Sequence, residues 1–178
     1  LGHSPLTEIN KGNVDDLRLS WTWSLPPGAN MMTPIVHDGV MFALSSGDVV
    51  QAIDATTGDL LWAYQHELEG ENPSESKKGV AIWEDKIIVG TSDVKLIALE
   101  AKTGRLAWEH KIDTNGELDH RFKSAPMIIN DKAIFGLVGQ MAVAGGNFIV
   151  AIDLNSGEEA WRFYTIARPD ELYGNSWN

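Results

Sequence analysis

The chain has 178 residues and a formal net charge of −11, with a pI near 4.7, a balance that argues against nucleic acid or an anionic membrane surface as its main partner. Its 43% hydrophobic and 22% charged residues describe an ordinary folded protein able to bury one sizeable core. With no cysteine, neither a disulfide nor a thiolate metal site is possible, and the redox compartment is left open. No charged-then-apolar leader opens the sequence, no apolar run approaches a membrane span, and Leu1 in place of Met reads as a processed or cut chain.

Residues Leu1 to Ser20 are polar with scattered apolar positions, and Asn13–Leu17 reads as a helical turn or a loop. Leu19-Ser20-Trp21-Thr22-Trp23-Ser24-Leu25 alternates as a half-buried strand does. Its Trp-x-aromatic pattern returns in Trp62-Ala63-Tyr64 and Trp161-Arg162-Phe163, so it reads as an orphan closing strand of a repeat whose earlier strands are missing. After Pro26-Pro27-Gly28 come three hairpins. The first turns at Asp38-Gly39, a strong two-residue turn signal; the others turn at Glu84-Asp85-Lys86 and Asn130-Asp131-Lys132.

Behind each hairpin stands the same eleven-residue pattern, in residues 52–62, 98–108 and 151–161. An apolar run meets an acid (Asp54, Glu100, Asp153), then Thr-Gly or Ser-Gly, then a tryptophan four residues after the glycine (Trp62, Trp108, Trp161). Glycine tolerates positive φ in such a turn, the hydroxyl bonds local backbone, and the indole offers a large face for a neighbour. Three copies in register predict a structural repeat of four antiparallel strands, the blade of a β-propeller. The three tryptophans are expected to be buried between adjacent blades. The acids read as turn partners rather than general acids.

Spacing separates two faces. Asp38 to Asp85 is 47 residues and Asp85 to Asp131 is 46, yet Trp108 to Trp161 is 53 against 46 for Trp62 to Trp108. The extra seven residues fall between the second and third strands of the third unit, around Val138–Asn147. In a four-stranded antiparallel blade the first-to-second and third-to-fourth turns share one face, where this chain has only tight turns. All length variation lies on the other, in 65–78, 111–123 and the expansion. That face is the candidate site, since rigid scaffolds carry function on loops; length that is merely tolerated there is the other reading. The five histidines show no metal-ligand spacing and read as surface or strand positions, and no catalytic-serine elbow or phosphate loop occurs. No catalytic residue and no metal ligand is assigned.

The repeated Ala-x-[Asp/Glu]-x-x-[Thr/Ser]-Gly-x-x-x-Trp segments resemble the tryptophan-docking repeats of the pyrroloquinoline-quinone (PQQ) dehydrogenases. The resemblance extends to Gly2-His3-Ser4-Pro5-Leu6, Asn13-Val14, Leu17–Trp21, and Trp161–Pro169 with Gly174 and Trp177, which are similar to the N-terminal part of the quinoprotein alcohol dehydrogenase propeller. It implies an all-β protein of eight four-stranded blades, of which this chain holds about three and a half as an open arc: an opening segment 1–28 with the orphan strand, blades over 29–65, 75–111 and 121–165, and the start of a connection over 166–178. It also implies PQQ and calcium on the loop-bearing face, oxidation of an alcohol or sugar-alcohol hydroxyl, electrons passed to a cytochrome c or quinone acceptor, and a periplasmic location. Carried over position by position, it places Lys78, Lys123, Ser124, Gly139 and Gln140 against the cofactor. Lys78 stands for a family arginine before Gly-Val-Ala, Lys123 stands at a family threonine, Met31 replaces a quinone-contacting glutamate, and Val138-Gly139-Gln140-Met141 replaces a stretch with a calcium-binding glutamate. The alternative is a non-catalytic binding scaffold built of the same repeat, of the outer-membrane β-barrel assembly type.

Overall fold

The computed structural model describes residues 6–68, 78–114, 120–139 and 146–176. Their strands form three antiparallel sheets. The first runs β1 (Ile35–His37), β2 (Val40–Ser45), β3 (Val49–Asp54), β4 (Leu60–Gln65), and the second β5 (Ala81–Trp83), β6 (Lys86–Gly90), β7 (Lys95–Glu100), β8 (Leu106–Lys111), each in simple meander order. The third adds β9 (His120–Phe122) to the meander β10 (Met127–Ile129), β11 (Lys132–Gly139), β12 (Phe148–Asp153), β13 (Glu159–Tyr164). The repeat reading of blades is correct, and the blades form an open arc. No helix among the described residues is long and apolar enough to cross a membrane.

The core lies between the sheets. Phe42, Leu44, Val50 and Ala52 of the first blade pack against Ile87, Val89, Ile97 and Leu99 of the second. The alternate residues Ile88, Leu96 and Ala98 face Ala133, Phe135, Val150 and Ile152 of the third. The middle blade is thus covered on both faces, which is why Ile87-Ile88-Val89 reads as an unbroken apolar run instead of an alternation.

The repeated acid holds its own turn. Asp54 Oδ1 accepts from the amides of Thr56 (2.8 Å) and Thr57 (3.0 Å), and Asp153 Oδ1 from those of Asn155 (3.0 Å) and Ser156 (3.1 Å). Those amide bonds hold both carboxyls below the usual carboxylate range. Glu100, one methylene longer, instead takes Arg105 Nη2 at 2.6 Å and the Thr103 hydroxyl at 2.8 Å, which likewise lower its carboxyl. The amides of Gly58, Gly104 and Gly157 then close back onto the carbonyls of Asp54, Glu100 and Asp153, each at 2.8 Å.

The tryptophans dock forward, from one blade onto the turn of the next. Trp62 donates its indole N–H to the Ala101 carbonyl at 2.9 Å and lies flat against Gly104, where an added Cβ would stand 2.5 Å from the ring. Trp21 does the same to the first blade, bonding the Ala55 carbonyl at 3.1 Å, with an added Gly58 Cβ 2.8 Å from its ring. The third docking differs. A Cβ on Gly157 would meet nothing within 4 Å; Leu154 stands where Ala55 and Ala101 stand in the other turns, and Trp108 packs against the core cluster that contains it. The space over the glycine that the indole takes in the other two turns is open here.

Two expectations are corrected. Leu19–Leu25 forms no ladder among the described residues; Trp21 is instead held by its docking on the first blade's turn, and the alternation survives in Trp21 and Trp23, which are half-buried between exposed neighbours. Of the three repeat tryptophans, Trp62 and Trp108 are half-buried, but Trp161 is 41% exposed, since no turn of a further blade covers it.

Replacing the half-buried Trp62 by alanine should cost up to about 3 kcal/mol, the lower end of the range for removing a fully buried aromatic, in urea unfolding followed by fluorescence, whereas Trp161→Ala in this chain should cost far less; equal costs would contradict forward docking. The turn carboxylates set an acid limit. Their folded-state pKa values are depressed, so their contribution is complete above the ordinary carboxylate range and is lost as pH falls through the depressed values. The thermal midpoint should therefore fall as pH drops below about 4, and Asp54→Asn should flatten that acid limb.

Candidate functional site

The tight turns Asp38-Gly39, Glu84-Asp85 and Asn130-Asp131 lie at one end of the strands together with the three glycine turns. The opposite end carries 46–48, 91–94, the connections between blades and the β11–β12 expansion. On that end the inner strands of successive blades converge. The Thr33 amide donates to the Lys78 carbonyl at 3.3 Å. Gly79, at φ +146°, adopts a backbone that other residues rarely take, and an added Cβ would lie 3.3 Å from the Thr33 carbonyl oxygen and 3.5 Å from the Ala125 Cβ. Thr33, Gly79 and Ala125 are thus the lip of three adjacent blades brought to one point.

The third blade reaches this point by an irregularity. From Phe122 opposite Leu137 to Met127 opposite Ile134, the inner chain takes five steps while β11 takes three. The two surplus residues throw Lys123–Pro126 out of the ladder, as in a β-bulge. Phe122 anchors the upstream side, its ring packed over Gly90, where an added Cβ would stand 2.6 Å away, and 4.8 Å from the Phe135 ring.

The candidate residues fall into two groups. Lys78 is exposed, Lys123 half-buried and Ser124 exposed; the Gly79–Ala125 approach brings the three to neighbouring positions on the lip, and neither lysine is paired with a carboxylate among the described residues. Gly139 ends β11 opposite His120, and its amide donates to Asn147 Oδ1 at 2.9 Å. Gln140 lies outside the described residues, and Met31 is 60% exposed.

Sequence reasoning passed over a third group on the same face, between the first two blades. His66, 5% exposed, directs Nε2 at both oxygens of Asp93, 3.0 and 3.1 Å away, and its Nδ1 lies 3.5 Å from the Tyr64 hydroxyl. Burial, with Glu109 nearby, raises the Tyr64 phenol and keeps it protonated. Asp93 also accepts from Thr91 Oγ1 at 2.5 Å and faces Lys95 Nζ at 3.9 Å, while that ammonium reaches Glu109 at 3.2 Å. Asp48 Oδ2 takes the Ser92 amide at 2.6 Å. A surface or strand reading of the histidines is therefore wrong for His66; His120 is a strand position, the first of β9, and is 1% exposed with Nε2 3.0 Å from the Gly146 carbonyl oxygen. Aligning the repeats gives the available signal: Asp48 and His66 occupy the positions of Val94 and Ile112 in the next blade, where Ile112 N bonds Val94 O as His66 N bonds Asp48 O.

Among the described residues, no three carboxylates, imidazoles or thiols come together as a metal site. The lip is instead a cationic and hydroxylic rim on a chain of strongly negative charge, suited to an anionic ligand.

Comparison with known proteins fits this geometry. Residues 2–178 match the family model described as PQQ, glucose/ethanol/alcohol dehydrogenase, beta-propeller domain. The dehydrogenase subunit of a quinone-linked alcohol dehydrogenase from Gluconacetobacter polyoxogenes is 37% identical over 177 residues, covering 94% of this chain and 24% of its own. The structure of quinohemoprotein alcohol dehydrogenase from Comamonas testosteroni superposes with a TM-score of 0.84 at 33% identity, over 96% of this chain and 26% of that one. BamB from Moraxella catarrhalis shares the fold alone, with a TM-score of 0.53 at 21% identity over 75% of this chain and 36% of its own. The chain spans about a quarter of the length of the curated relatives it matches. Its repeats, its open arc of blades and these likenesses place it in the PQQ alcohol dehydrogenase β-propeller family.

Proposed function

We propose that the loop-bearing lip of this arc forms part of a PQQ site in a quinoprotein dehydrogenase that oxidises an alcohol or sugar-alcohol hydroxyl. The observation that supports the reading is the meeting of Thr33, Gly79 and Ala125, to which Lys78 on one side and Lys123-Ser124 on the other are adjacent in sequence. The donor set suits the group. PQQ is a tricarboxylated quinone, and two ammonium groups, a hydroxyl and a glycine-lined approach supply charge, hydrogen bonds and room. Bound there, the quinone supplies the two-electron acceptor for alcohol oxidation, with a cytochrome c or quinone as onward acceptor and the periplasm as the compartment.

This chain's residues bind and orient in that scheme. The Lys78 and Lys123 ammonium groups neutralise carboxylates and draw electron density from quinone oxygens, as point charges without the two-pronged geometry of arginine. The Ser124 hydroxyl donates a further bond, and Gly139 with Gln140 would border the site from the third blade. Calcium fits less well: the described residues offer no converging carboxylates for a hard divalent ion, so no step is derived through it. The second reading is a binding scaffold without cofactor. The exposed Met31, standing where the resemblance expects a glutamate, favours it, as does the fold shared with BamB.

PQQ titrated into the protein and followed by quinone absorbance should bind weakly to the 178-residue chain, because an open arc builds only part of an axial site. Binding should be tight to a polypeptide that closes the ring to eight blades. In either protein Lys78→Ala and Lys123→Ala should each weaken binding by about tenfold or more, the scale of one charge-assisted bond, and more steeply at low salt. PQQ binding that ignores both substitutions would refute the lip as its site. Absence of binding even in the closed protein would establish the scaffold reading.

A further inference from the structure

We propose that His66 is a proton-operated latch that clamps the first blade to the second, tighter when the imidazole is protonated. The inference does not depend on what the lip binds. The residues joined come from both sides of one seam: Tyr64 and His66 from the end of the first blade's outer strand, Asp48 from its β2–β3 loop, and Thr91, Ser92, Asp93 and Lys95 from the β6–β7 loop and the start of β7. His66 Nε2 donates across the seam to the Asp93 carboxylate at 3.0 Å, and both side chains are about 95% buried.

The charge around the ring gives the direction. Asp48, Asp93, Glu67 and Glu109 face it or its partners, against Lys95 on β7 and Lys111, which sits opposite Lys95 in register. With a neutral imidazole the described members of this corner carry two more negative charges than positive. Adding a proton halves that excess and turns the His66–Asp93 bond into a charge-assisted one, in surroundings where screening by water is small. The ring has a place for the proton: Nε2–H remains on Asp93, and Nδ1–H would meet the Tyr64 oxygen 3.5 Å away.

The next seam is built without these groups. Val94 and Ile112 take the positions of Asp48 and His66, and both pack in or against the apolar cluster between the second and third blades. Only the first seam can therefore answer to protons through this pair, and the second serves as an internal control. Histidine as a residue type changes charge between about pH 5 and 8, which sets the pH pair of the test.

The test is amide hydrogen exchange on the full chain by NMR, corrected for intrinsic rates, at about pH 5.5 and 7.5. The reporters are the Ser92 amide, which bonds Asp48 Oδ2, and the His66 amide, which bonds the Asp48 carbonyl; the control is the Ile112 amide, which bonds the Val94 carbonyl. Both reporters should be several-fold more protected at the lower pH while Ile112 is unchanged, and His66→Gln should abolish the difference. If that variant fails to fold, Asp93→Asn keeps the imidazole, removes its carboxylate and should equally abolish it. A pH response that persists in the substituted protein, one of equal size at Ile112, or looser reporters at the lower pH would overturn the proposal.

Discussion

The glycine turns of the first two blades are each roofed by an indole from the chain before them. The contact has two parts that must coincide, a flat ring against a glycine with no Cβ and an N–H directed at the carbonyl three residues upstream of that glycine. Either alone is common. Together they require the turn to have one shape, and the shape is braced by an acid whose carboxylate takes the turn's own amides at Asp54 and the Thr103 hydroxyl at Glu100. The acid, the hydroxyl residue, the glycine and the tryptophan recur as a set because they are parts of a single contact between neighbouring blades. The continuous apolar strands follow from the same arrangement, since a sheet held between two others buries both faces.

Much of the fold was legible for that reason. A pattern of eleven residues that repeats in register reports an interaction as well as an element, and the hairpin turns before it carry their own signals. What was not legible depends on partners distant in sequence. The β9 strand is three residues long, and its reason for being a strand is the extra length of β11 that it pairs with. Trp108 keeps the spacing of Trp62, yet it packs against a cluster that includes Leu154 and leaves Gly157 open, which the repeat pattern does not mark. The Leu19–Leu25 segment shows the converse, a strand pattern with a docked tryptophan and no ladder, because a pattern specifies faces while a ladder needs an available edge.

Strand order puts the residue before Gly79-Val80-Ala81 at the loop-bearing end, but the approach of Gly79 to Thr33 and Ala125 could not be read from the sequence. The bulge that frees Lys123–Pro126 leaves no mark in composition. The His66 corner was missed because a histidine was judged alone. Its meaning appears only when the same position in the next blade is seen to hold isoleucine and its partner position valine.

That contrast bears on how such a chain can be rebuilt by recombination. Where a joint is apolar packing of one sheet on the next, as between the second and third blades, a duplication or deletion of one whole unit leaves no donor stranded. The first joint lacks that freedom, since beside the indole on Gly104 it carries a polar pair. His66 on one unit and Asp93 on the next form a matched set, and a crossover between them would bury a carboxylate or an imidazole against an apolar partner, a cost of several kcal/mol when one member of a buried pair is lost. The first two blades are in this sense inherited as one module, while the third can be exchanged by itself.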